Sequence, residues 1–221
     1  MKNFLPNRTF GKTLALLAAL AAMGAGLTPE KSLPPDNEIL ALVDAYNIDG
    51  LKALGPAIPA KLAELYATAP TARKARIASG LYGLGVKSPE AKLALIQDVK
   101  TQDDRLRVAV QYALGRVSSD PDVVEVLLQN MRNGETYHFR DKAACALAYD
   151  QIHLGPAQKV RLFEGLVEAL DDVKPDVRVF ARLALQIQTG KTFDYDPASS
   201  PVVRRRSIDR WRQWIVEYKA Q

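Results

Sequence analysis

The segment Asp104–Gly115, DRLRVAVQYALG, returns in degraded form three more times along the chain. Asp176–Leu185 repeats its layout: an acid, an Arg two or three positions later, and an Ala-Leu pair six and seven residues beyond that Arg. Another copy runs from Arg140 through Ala143 to Ala146-Leu147, and a weaker one occupies Ala75–Gly85 with Ile77 at the Arg position. Ile77, Arg107, Arg140 and Arg178 are therefore equivalent positions, spaced by 30, 33 and 38 residues. A unit of that length holds two helices, neither of which can bury its apolar face alone, so the units must stack. The pattern predicts an all-α chain built as an α-solenoid. No sustained period-two alternation accompanies it, so no sheet is expected.

Between the repeated segments the chain carries matching helix signals. Asp36 or Asn37 can cap a first helix bearing Ile39, Leu42, Val43 and Tyr46 on one face, followed by a corner at Gly50–Pro59 that holds a short helical turn. A second helix carries Ile58, Leu62, Leu65 and Tyr66. Ser88-Pro89-Glu90 starts another, with Leu93, Ile96 and Val99 as its buried side. Asp120-Pro121-Asp122 starts one with Val123, Val124, Leu127, Leu128 and Met131, and Gly155-Pro156 starts one with Val160, Phe163, Leu166, Val167 and Leu170. Gly190 can end the last repeated helix, and Ser200-Pro201 can begin a final one.

The opening residues read differently. A basic section ending at Lys12, an apolar run from Thr13 to Ala22 and small residues at Met23–Gly26 have the form of an export signal over 1–26, too short in its apolar core for a membrane span. Residues 27–36 read as a linker and 37–221 as the folded domain, including a cap over 190–221. The formal net charge of +5 falls to +2 once Lys2, Arg8 and Lys12 are set aside, which leaves no global field for a polyanion; no nucleic-acid partner is expected. Cys145, the single cysteine, cannot form an intramolecular disulfide and reads as a buried small residue among Ala143, Ala144 and Ala146.

The acid-x-x-Arg and Ala-x-x-Ala-Leu layout resembles the inner helices of HEAT repeats over roughly residues 72–188. The resemblance implies a right-handed α-solenoid of stacked antiparallel helix pairs. It also implies a hydrogen-bond ladder from repeat to repeat, which here engages Arg107, Arg140 and Arg178 with Asp104 and Asp176. The Arg140 repeat departs from the pattern, with Tyr137 where the acid would stand. The stretch from Thr189 to Pro197, then Pro201, Arg204 and Arg210-Trp211-Arg212-Gln213-Trp214, is similar to the terminal motif of exported bacterial HEAT-repeat proteins. Ile208, Trp211, Ile215 and Tyr218 share one helical stripe with Trp214 beside it, which suits a helix covering the last repeat.

Several local matches carry no chemistry. Gly190-Lys191-Thr192 has Leu185 where a phosphate loop needs Gly, and no strand precedes it. Asp194 and Asp196 offer too few oxygens for calcium and read as turn formers. His138 and His153 lack partners at metal-ligand spacing, so no metal and no cofactor is expected. Arg204-Arg205-Arg206 with Arg210 and Arg212 reads as the solvated face of the cap helix, with Asp209 and Glu217 for local pairing.

With no recognisable nucleophile, base and orienting group, the expectation is a non-catalytic protein-binding or scaffolding module of the bacterial periplasm or envelope. Two other readings stand beside it. One is a lyase-like enzyme or subunit, since some short HEAT-like proteins resemble bilin lyases; the other is a peripheral membrane module using the C-terminal Arg cluster. For a protein partner, the positions four and five beyond each repeat Arg are expected to turn away from the core. They are Leu81 and Tyr82, Gln111 and Tyr112, Ala144 and Cys145, and Arg182 and Leu183.

Overall fold

Proline and short polar caps decide where the helices begin. The computed structural model describes residues 32–220; the expected leader and the first part of the linker lie outside them. The helices are α1 (Asp36–Asp44), α2 (Ile48–Ala53), α3 (Ile58–Thr68), α4 (Thr71–Leu84), α5 (Pro89–Ile96) and α6 (Asp104–Val117), then α7 (Pro121–Asn133), α8 (Tyr137–Tyr149), α9 (Pro156–Ala169), α10 (Pro175–Thr189) and α11 (Pro201–Lys219). The described residues contain no strand, and the fold is all-α. Pro89, Pro121, Pro156, Pro175 and Pro201 each open a helix, where the missing N–H costs nothing. Ser88, Asp103 and Thr136 accept from the backbone N–H three residues on and so cap α5, α6 and α8. Gly85 and Gly190 end α4 and α10 in the left-handed region, at φ 62° and 71°.

The helices pack in alternating fashion. The helices that carry the repeated segments pack in series, α4 on α6, α6 on α8 and α8 on α10. The intervening helices lie against them: α3 on α4, α5 on α6, α7 on α8 and α9 on α10. α3 also packs on α5, α7 on α9 and α9 on α11. α5 is tied to α7 by Lys92, which reaches Asp120 and Asp122, and by Asn130, whose Nδ2 donates to the Val99 carbonyl. The apolar side chains of both sets interdigitate in one core, with Leu106, Val110 and Ala113 of α6 buried as their spacing requires. In α5 the buried side differs from expectation. Ala91, Leu95 and Val99 face the core, while Leu93 is 61% exposed, because the helix presents the stripe one residue pair away to α3 and α6.

The repeat arginines act as fasteners between successive helices. Each returns to the carbonyl six residues before it: Arg107 to Thr101, Arg140 to Gly134 and Arg178 to Asp172. Each also reaches forward. Arg107 Nη1 donates to Glu135 at 2.7 Å, and its guanidinium lies 4.0 Å over the Phe139 ring. Arg140 donates from Nε and Nη2 to Asp176 at the start of α10. Arg178 has no further repeat ahead of it, and Nε takes the Pro197 carbonyl instead. The acid therefore comes from the first turn of the next repeated helix or the residues just before it, rather than from the Arg's own turn. That explains how Arg140 is satisfied despite Tyr137, and it places Asp104 outside the ladder: its counterpart on α4 is Ile77, which has nothing to donate.

The last helix closes the series. Ile208, Trp211 and Ile215 of α11 are buried, and Trp214 and Tyr218 are half-buried against α9. Phe193 meets Trp211 edge-on at 4.7 Å, and Phe163 lies 5.2 Å from Trp214 and 5.3 Å from Tyr218. Phe193 and Asp194 adopt positive φ, which turns the chain sharply before Tyr195, whose buried hydroxyl donates to the Leu170 carbonyl.

Candidate functional site

Positions four and five beyond the repeat Arg do not behave alike. Position four is turned into the protein: Leu81, Gln111 and Ala144 are buried, and Arg182 lies half-buried near Asp196 of the 190–200 loop. Leu81 and Gln111 are thereby corrected from surface to core, since a helical step of 100° separates them from the open face. Position five lines that face. Tyr82, Tyr112 and Cys145 are half-buried, because the next helix covers part of each, and Leu183, with no next repeat, is 42% exposed.

The tyrosines form a track. The Tyr82 and Tyr112 rings lie 6.2 Å apart and tilted. Arg116 sits 4.2 Å over the Tyr82 ring and donates from Nε to Asp150 at 3.0 Å. Burial raises the Asp150 carboxyl above the usual carboxylate range, with Arg116 opposing it, and burial next to Asp150 raises the Tyr82 hydroxyl. Burial also raises the Tyr112 hydroxyl and the Cys145 thiol that faces it. A thiol held protonated is a poor nucleophile. His153 is likewise engaged, with Nε2 against the carbonyls of Gly85 and Arg116.

Two cavities open beside this track. The larger, of about 660 Å³, lies between the end of α1, α4 and the start of α6, and its lining includes Tyr46, Arg76, Ser79 and Arg105. The smaller, of about 390 Å³, lies over α6 and reaches His138; its lining includes Asp104, Val108 and Tyr112. They share Ser79, Arg105 and Ala109 and so adjoin. Tyr46 follows α1 with φ 50°, unusual for a residue with a Cβ, and is 52% exposed rather than part of the first helix's core stripe. Its hydroxyl and the Ile48 side chain lie over Gly83, where an added Cβ would stand 3.4 Å from one and 2.4 Å from the other. A side chain at position 83 would displace Ile48.

Among the lining residues, Arg76 and Arg105 were not singled out in the sequence, and Tyr46 was assigned there to the core stripe of the first helix. Arg105 stands inside the repeated segment, two residues before the ladder Arg. That offset from a recognised repeat position is the signal by which it could have been found.

The C-terminal arginines are largely engaged within the protein. Arg204 donates to the Ser199 carbonyl and approaches Asp171, Arg210 pairs with Asp194 and Arg212 with Asp209. Among the described residues, no group of three or more His, Cys, Asp or Glu is arranged to hold a metal ion, and no helix is long and apolar enough to cross a membrane. No protein-family model and no curated protein matches this chain.

Proposed function

We propose that this chain is a HEAT-like, right-handed α-solenoid that serves as an exported, non-catalytic protein-binding or scaffolding module. The serial packing of α4, α6, α8 and α10, the intervening helices against them and the recurring Arg contacts support the solenoid reading. The observation that carries the functional reading is the tyrosine track running into two adjoining cavities on one face, since Tyr and Arg at a partly desolvated surface are the residue types that anchor protein partners. Pairing of Arg204, Arg210 and Arg212 within the chain favours this over contact with a membrane surface. The leader over 1–26 underlies the periplasmic or envelope placement, and cell fractionation should then recover a product lighter than the full chain outside the cytoplasm.

A photo-crosslinking residue placed at Ala109, which lines both cavities, should capture one defined protein from envelope extract. The same residue at Leu93, exposed on α5, should not. Capture at both positions, or at neither, overturns the reading.

A further inference from the structure

We propose that the two adjoining cavities take an extended peptide segment whose acidic side chain is bound by Arg105; this deepens the protein-binding reading above and rests on it. Arg105 is the cation common to both cavities, it is exposed, and among the described residues it makes no ion pair and no side-chain hydrogen bond. The neighbouring cations are engaged. Arg73 and Arg76 both hold Asp44, Arg116 holds Asp150 and Lys142 holds Asp141.

Two of the carboxylates nearby are engaged as well. Asp44 is shared by two guanidinium groups, and Asp103 Oδ1 accepts from the Leu106 N–H as the cap of α6. Asp104 lines only the smaller cavity, so an incoming acid is directed to the larger one, where Asp44 is held by two arginines and Asp103 has one oxygen engaged as the cap of α6. A planar guanidinium with free N–H groups matches a carboxylate in two-point geometry.

The rest of the surface fits a chain rather than a small anion. Ala75, Val108, Ala109 and Tyr112 give an apolar floor over the length of two cavities. The Ser79 hydroxyl is turned to the Ala75 carbonyl and is not offered outward. The helical backbone has no hydrogen bonds to spare, so affinity comes from side-chain contact on the floor and direction comes from Arg105.

The probe is N-acetyl-Leu-Glu-Leu-amide, compared with its Gln counterpart and titrated into the protein while backbone N–H resonances are followed by NMR. The Glu peptide should shift resonances of cavity-lining residues saturably and bind about fivefold or more tightly than the Gln peptide. The difference should shrink as salt rises and vanish in Arg105→Gln, whose melting temperature should match wild type because the replaced group has no partner to lose. Equal affinity for the two peptides within the cavities overturns the assignment to Arg105 and leaves the docking surface standing. No saturable shift, or shifts centred on the arginines of α11, overturns the proposal. Crosslinking at Ala109 decides the docking surface separately.

Discussion

Arg140 and Asp176 are 36 residues apart in sequence, yet two guanidinium nitrogens of the first converge on one carboxylate oxygen of the second. The pair joins α8 to the first turn of α10, and both side chains are largely shielded from solvent. Burial pushes the Asp176 carboxyl up, but the hydrogen bonds and charge of Arg140, with the Val177 N–H, outweigh it and hold the group below its usual range. Its stabilising contribution is therefore fully present above the unfolded-state value of about 3.9 and is lost as pH falls through the lower folded-state value. Arg140→Gln should cost about 1.5–3 kcal/mol near neutral pH and flatten the acid limb of the stability curve. Urea titrations from pH 2 to 7 check this; parallel acid limbs in wild type and variant would show that the pair contributes nothing there.

Gln111 is fully buried, and neither its Oε1 nor its Nε2 has a partner among the described residues. An unpaired buried amide costs about 1–3 kcal/mol, and Met has a similar length without the polar atoms. Gln111→Met should raise stability by about 1 kcal/mol. A lowered melting temperature would sink this account of the residue.

Gly115 lies where α6 passes the end of α8. A Cβ there would stand 2.7 Å from the Asp150 carbonyl oxygen and 2.4 Å from Gln151 Nε2. Gly115→Ala should cost about 1–3 kcal/mol, because a backbone carbonyl cannot rotate away. Gly165→Ala should lose less, since its Cβ would meet the side chain of Leu128, which can change rotamer. Thermal melts of the two variants give the order directly, and the reverse order would contradict the packing argument.

Trp211 is 1% exposed and contacts Phe193 and Trp214 edge-on. Trp211→Ala should lower stability by about 3–5 kcal/mol. If the variant melts with wild type, α11 does not carry the closing role assigned to it.

The helices were legible because their signals are local. Proline at the first helical position, Ser88 and Asp103 as caps and the apolar stripe of α7 each lie within a few residues of what they determine. The burial of Ile208, Trp211 and Ile215 followed from one stripe on α11 for the same reason. The open face was only half legible. Position four and position five differ by one helical step, and which of them is fully buried depends on the packing angle between α6 and α8, which Gln111 and Tyr112 do not encode. Asp176 was legible as a ladder acid and meets Arg140, whereas the partner of Arg107 was not: Asp104 is close to Arg107 in sequence, but Glu135 is brought there by the fold. Tyr46 was hidden because its positive φ breaks the helical spacing that assigned it to the core.

The forward reach of the repeat arginines gives the chain a direction and two kinds of end. A helix pair whose second helix has an acid at or just before its start and an Arg a few residues further on can be handed a proton donor from behind and hand one on ahead. A pair duplicated between Val117 and Pro175 would keep every donor matched with an acceptor. The same pair placed before α4 would present its Arg to Ile77's helix, which has no acid in its first turn, and one placed after α10 would compete with Pro197 for Arg178. Along this chain the repeated arginines thus meet acids just before α8 and in the first turn of α10, and the last of them meets a backbone carbonyl.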